Sequence, residues 1–139
     1  MTITELAEKS ASIQYTYKVT PDVYYCFQRC SNDYNPLHTD EYFAKDKGFS
    51  NRVMYGNILN AFISHFVGML LPTREVMILA QDIKFISPIF LNDELTFKAN
   101  VDGASELANA IRYKFTFDRN GEIVAKGRVQ IGLLKKAES

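Results

Sequence analysis

Between Arg52 and Arg74 the chain has no Asp, Glu, Lys or Arg, although these four types make up 23% of its 139 residues. An uncharged run of that length would suffice to cross a bilayer. Asn57, Asn60, Ser64 and His65 interrupt it with polar side chains that hydrocarbon penalises, so it reads as a buried helix of a soluble protein with no membrane partner. Net charge is missing too: sixteen basic residues balance sixteen acidic ones. A chain so balanced carries no electrostatic footprint for nucleic acid, and a phosphate-bearing ligand would need a local basic cluster. There are only two cysteines, Cys26 and Cys30, at helical spacing, and no basic and apolar leader opens the chain. A reduced, cytoplasmic protein is expected. No repeat or low-complexity run breaks the sequence, and 47% of it is apolar. It reads as one domain over residues 1–139, with a functional core at about 12–134, long enough to bury about two thirds of its unfolded surface.

Ile13, Tyr15, Tyr17 and Val19 alternate with polar neighbours, the period of a half-buried strand. Thr20, Pro21 and Asp22 then supply an N-cap, a first helical residue and a first-turn acid for a short helix. "DEYFAKDKG" predicts a second short helix ended by Gly48 in a left-handed conformation. From Gly56 to Leu71 the apolar residues recur in pairs four apart and Pro72 closes the run, which predicts an amphipathic helix of about four turns. Four runs of strand length follow from Val76, the last two joined by Asn120-Gly121, a strong hairpin dipeptide. One strand, then helices, then four strands predicts an α+β domain in which a curved antiparallel sheet of about five strands wraps the long helix, the hot-dog architecture.

Two stretches carry chemistry. "SNDYNPLHTD", residues 31–40, gathers Asp33, Asn35 and His38 around Pro36, in a chain with one other histidine. Asn, Asp and Pro all serve turns, so local turn bonding accounts for part of the pattern. The second stretch is the polar face of the long helix, where Gly56, Asn57, Asn60, Ala61, Ser64, His65 and Gly68 stand in place of the Lys and Glu of a solvated face. Close helix packing explains that stripe; so does a pocket wall whose unpaired N–H groups, from Gly56 onward, bind a developing oxyanion.

"SNDYNPLHTDEYFAKDKGFSNRVMYGNILNAFIS" resembles the hydratase motif of the MaoC-like, (R)-specific enoyl-CoA hydratase family: Asp, any residue, Asn-Pro, an aliphatic, His, and later a Gly opening the central helix. "AQDIKFISPIFLNDELTF" continues the likeness through Phe85, Pro88 and Asp93, and the match covers roughly residues 20–130. The resemblance implies a hydro-lyase that adds water reversibly to a trans-2-enoyl thioester of CoA or acyl-carrier protein. It implies Asp33 and His38 as the catalytic pair, Gly56 as the oxyanion donor, Ser64 as a supporting helix serine, and a homodimer. No cofactor beyond the thioester substrate is implied. Such chemistry needs a base for the water, an acid for Cα and a donor for the enolate oxygen, which one carboxylate, one imidazole and a backbone N–H supply. Asn35 joins the site more by fixing the loop than by touching substrate.

The chain departs from the family pattern at three positions. Tyr55 stands where a His is common, Asn57 where a Met is usual, and Asn32 replaces the Gly of the usual Gly-Asp pair. A phenol and an amide are thereby expected beside the oxyanion site. Lys45, Lys47 and Arg52 flank the loop and are the candidates for CoA phosphates, Arg52 first because its planar fork takes two contacts. No metal site is expected, since Cys26, Cys30, His38 and Asp40 lack zinc-ligand spacing. Acyl-CoA thioesterases share the fold and place a carboxylate on the helix, which has none here; a non-catalytic acyl-thioester binder would not need the acid-base pair.

Overall fold

Strict alternation decides which side of the sheet is dry. In Ala110–Arg119 the residues Ile111, Tyr113, Phe115 and Phe117 are buried while Arg112 and Lys114 face water. The computed structural model describes residues 1–138, and its strands are β1 (Ser12–Lys18), β2 (Val76–Phe85), β3 (Glu94–Ser105), β4 (Ala110–Arg119) and β5 (Glu122–Leu133). They form one antiparallel sheet in the order β1-β3-β4-β5-β2. Consecutive strands β3, β4 and β5 are the predicted meander, and Asn120 and Gly121 both take positive φ (52° and 85°), the requirement of a two-residue type I′ hairpin.

The helices are α1 (Ile3–Lys9), α2 (Pro21–Ser31), α3 (Pro36–Thr39), α4 (Glu41–Asp46) and α5 (Ile58–His65). At α2 the Thr20 hydroxyl accepts from Val23 N–H at 3.2 Å with Pro21 at the first position, as its sequence requires. Gly48, at φ 93°, ends the α4 segment. The predicted four-turn helix is divided. It starts at Ile58, runs regularly to His65, and continues as one π-helical turn, Phe66–Leu70. Phe66 and Val67, four residues after Phe62 and Ile63, open that wider turn on the buried side, and Pro72 stops the chain. α1 carries no long apolar pattern, but Thr2 and Glu5 stand at capping-box spacing, Glu5 N–H donates to the Thr2 hydroxyl at 3.1 Å, and Ile3 and Leu6 are buried.

The inner face of the sheet closes on α5 and the π turn, which is the hot-dog arrangement. Tyr17 stacks on Phe62 with centroids 4.5 Å apart, and Phe66 lies 5.0 Å from Phe97 and 5.2 Å from Tyr113. Between β2 and β3 the Asp93 carboxylate accepts from Phe90 N–H at 2.8 Å and pairs with Arg119 at 2.6 Å, while Arg119 also reaches the Pro88 carbonyl. Phe85, Pro88 and Asp93 therefore mark the bracket that carries the chain from the edge strand back into the sheet.

β2 is an edge strand, and its alternation is lost: Met77, Ile78, Leu79 and Phe85 are all exposed in the single chain. Its approach to β5 depends on Gly127, where an added Cβ would overlap the Asp82 carbonyl oxygen and lie 2.9 Å from the Phe115 ring. Backbone cannot yield as a flexible side chain can. Gly127→Ala should therefore cost about 3 kcal/mol or more, with β2 the part that loosens. Urea denaturation with amide exchange along residues 76–85 checks this; wild-type stability and protection in the variant would contradict it.

Candidate functional site

Asn32, in a left-handed conformation (φ 56°), ends α2 and turns the chain into the motif. The Asp33 carboxylate accepts from Asn35 N–H at 3.0 Å, and the Asn35 side chain caps α3 by accepting from Leu37 N–H at 3.0 Å. Pro36 begins that short helix, and His38 N–H donates to the Asn35 carbonyl at 2.9 Å. Asn35 thus acts on the loop backbone. The local bonds that Asn, Asp and Pro favour are what put His38 on its helix.

The imidazole is held from outside the loop. Its Nδ1 lies 2.7 Å from the Val53 carbonyl oxygen, which can only accept, so Nδ1 carries a proton and Nε2 is the nitrogen left for proton transfer. Leu37 and Val53 also pair through their backbones, at 3.1 Å, tying the loop to the segment that enters α5. His38 and Gly56 share the wall of a cavity of about 250 Å³, completed by Val53, Met54, Leu59 and Phe85 to Ile89. Gly56 N–H has no acceptor among the described residues, and a Cβ at Gly56 would sit 3.0 Å from the Phe85 ring.

The remaining predicted residues fall in several places. Asp33 is half-buried and lies outside that cavity wall, as does Ser64, which is exposed eight residues beyond Gly56. Asp33 and His38 nonetheless meet the same side chain. The Tyr55 hydroxyl donates to the Asp33 carbonyl at 2.5 Å, and its ring centroid is 4.3 Å from that of His38. The sequence sets this phenol beside the oxyanion site; instead Tyr55 is 2% exposed and its hydroxyl is taken up by protein. Removal from water pushes its pKa above the ordinary phenol value. Asn57 is exposed, and its amide oxygen accepts from Asn60 at 2.8 Å. His65 is a packed residue, its Nδ1 2.8 Å from the Tyr17 hydroxyl.

Of the three basic candidates, Lys45 pairs with Glu41 at 2.7 Å, and Lys47 lies 3.6 Å from Asp46 and over the Phe43 ring. Lys45 holds the Glu41 carboxyl below its usual range. Arg52 has no ion pair among the described residues; its guanidinium lies over the Tyr24 ring, 5.2 Å from the centroid. Cys26 and Cys30 are exposed on α2, where with Val23, Phe27, Ile58, Ala61 and Phe62 they line an apolar groove of about 300 Å³ against α5. No group of three or more His, Cys, Asp or Glu among the described residues is arranged to hold a metal ion. No helix among them is long and apolar enough to cross a membrane. Sequence reasoning missed Tyr24, whose hydroxyl donates to the His38 carbonyl at 2.7 Å, and Gln28 one helical turn later; their spacing of four on α2 was the available signal.

A sequence profile described as "MaoC like domain" matches residues 3–120. The chain belongs to the MaoC-like family. The (R)-specific enoyl-CoA hydratase of Rhodospirillum rubrum is 28% identical over 123 residues, 88% of this chain and 84% of that enzyme. The (R)-specific enoyl-CoA hydratase of Aeromonas caviae is 34% identical over 80 residues, 58% of this chain and 60% of that enzyme, so this second likeness spans less than two thirds of the relative. The unliganded R-hydratase PhaJ1 of Pseudomonas aeruginosa superposes with a TM-score of 0.84 at 25% identity, over 99% of this MaoC-like chain and 90% of that one.

Proposed function

We propose that this protein is an (R)-specific enoyl-thioester hydratase, a hydro-lyase that also runs in reverse as a 3-hydroxyacyl-thioester dehydratase. The observation that carries the reading is the fixed tautomer of His38: with Nδ1–H committed to Val53, Nε2 keeps the ring's lone pair, and His38 lines the same cavity as Gly56, whose N–H is unpaired among the described residues. In this reading Asp33 and His38 converge on one water. His38 Nε2 takes a proton as the water oxygen bonds to Cβ, the enolate oxygen is held by Gly56 N–H at the start of α5, and a proton from the pair goes to Cα. Hydroxyl and hydrogen add across the double bond and no redox partner is required. Membership of the family and likeness to two hydratases support the reaction class. The apolar groove beside α2 suits an acyl chain. A thioesterase of this fold would need a carboxylate on α5, and none lies between Arg52 and Arg74.

The thioester carrier is CoA or acyl-carrier protein, and the whole chain works as one domain in a symmetric homodimer. The exposed apolar edge of β2 supports pairing, because an unpaired edge of that kind is an association site. The exposed thiols of Cys26 and Cys30, which form no disulfide, suit a reducing cytoplasm. Sedimentation at micromolar concentration should give a dimer, and Leu79→Lys, which puts a charge on the edge, should shift it toward monomer. A monomeric wild type would contradict the assembly.

Asp33→Asn keeps an oxygen for Asn35 N–H and so spares the loop. It should cut hydration of crotonyl-CoA at least about a hundredfold, with an unchanged melting temperature. Undiminished turnover, followed by loss of enoyl absorbance, would reassign the chemistry; release of free thiol instead would mark a thioesterase. Arg52→Ala should raise KM for a CoA ester severalfold and leave kcat nearly unchanged, the more so at low salt. Identical KM values would place the phosphates elsewhere.

A further inference from the structure

Asp33 and His38 are tied together by a side chain that touches neither. Gln28 Nε2 lies 3.2 Å from the Tyr55 hydroxyl and 3.3 Å from the Tyr24 hydroxyl. Tyr55 donates to the Asp33 carbonyl at 2.5 Å, and Tyr24 donates to the His38 carbonyl at 2.7 Å. The direction of every bond is set from outside. A carbonyl oxygen only accepts, so each phenol commits its one hydrogen outward and keeps only lone pairs for Gln28. A side-chain amide nitrogen has two hydrogens, one for each phenol. Both tyrosines are 2% exposed, so no water stands ready to replace a lost donor.

This network does what the turn bonds do not. Asn35 fixes the loop internally, through Asp33 and Leu37, but nothing in those contacts fixes the loop against the rest of the protein. Gln28 and Tyr24 stand on α2, and Tyr55 directly precedes Gly56 at the approach to α5. The rings reinforce the link, with Tyr24 and Tyr55 stacked at 5.5 Å and Tyr55 against His38 at 4.3 Å. We propose that Gln28, Tyr24 and Tyr55 are positioning residues: one amide spans two phenols that hold the carbonyls of Asp33 and His38, setting the acid-base pair in register with Gly56 N–H. The proposal rests on the hydratase reading for its catalytic consequence. A donor is essential at residue 28, so neither an apolar side chain nor an ionised carboxylate can replace Gln28.

The test uses the full chain with crotonyl-CoA, comparing Gln28→Leu and Tyr55→Phe with wild type. Each should lower kcat about tenfold or more with KM within about twofold, because misplacement by a fraction of an ångström weakens proton transfer while binding surfaces stay intact. The double variant should be hardly slower than the slower single one, since both break the same linkage. A second readout is independent of turnover. The chain has two histidines, so the imidazole ¹⁵N signals of His38 are readily told from those of His65. Wild type should show His38 as the single tautomer protonated at Nδ1, and the variants should show mixed or exchange-broadened tautomers. If Gln28→Leu does not fold, Tyr55→Phe, which removes one oxygen atom, decides alone. Folded variants with wild-type kcat and an unchanged His38 signal overturn the proposal. A wild type that hydrates no enoyl thioester defeats the hydratase reading instead, and the ¹⁵N signals then decide the positioning role by themselves.

Discussion

The rest of the structure depends on the burial of one helix face. Ile58, Leu59, Phe62, Ile63, Phe66 and Val67 enter the concave side of the sheet, each worth roughly 1.5–3 kcal/mol if moved from full exposure to full burial. A charge anywhere on that face would have to be desolvated without a partner, which explains why none stands among these buried positions. Once the helix is seated its start is fixed in space, and with it Gly56. The chain leading into it supplies Val53, which binds the His38 imidazole, and Tyr55, which binds the Asp33 backbone. The site is therefore assembled by packing first and by hydrogen bonds second.

The loop containing the motif contributes little burial of its own. Its residues are mostly exposed or half-buried, and its conformation is set by Asx-type bonds from Asp33 and Asn35 and by the fixed φ of Pro36. Such bonds define a shape but not a position. Position comes from two buried phenols and from the Leu37–Val53 backbone pair, so the same ten-residue stretch is legible as a turn and is also fixed against the rest of the protein.

What could be read in the sequence was what local physics decides. Thr20-Pro21, the alternation of β4 and the Asn120-Gly121 hairpin act within a few residues, and each element appears where its signal stands. The turn over Asp33 to His38 was legible for the same reason, through the local bonds of Asp33 and Asn35. Tertiary contacts decided the rest. The helix gives way to a π turn after His65, and periodicity four apart does not distinguish a regular helix from that turn. β2 is an edge strand whose register against β5 shifts between Ile78 and Ala80, and local sequence signals neither feature. Tyr55 was set beside a ligand because its neighbour Gly56 opens the helix; its hydroxyl instead turns toward α2, a partner 27 residues away in sequence through Gln28. Asp33 and Ser64 are not among the residues that line the cavity shared by His38 and Gly56, and spacing along the chain does not reveal which residues line it.

The central claim is that Asp33, His38 and Gly56 surround one thioester. A crystal structure of the protein with a bound 3-hydroxybutyryl-CoA tests it most directly. The account predicts the substrate hydroxyl between the Asp33 carboxylate and His38 Nε2, and the thioester oxygen within hydrogen-bond distance of Gly56 N–H, with His38 Nδ1 still on Val53. A thioester bound away from α5, or a His38 imidazole turned from the substrate hydroxyl, would contradict it.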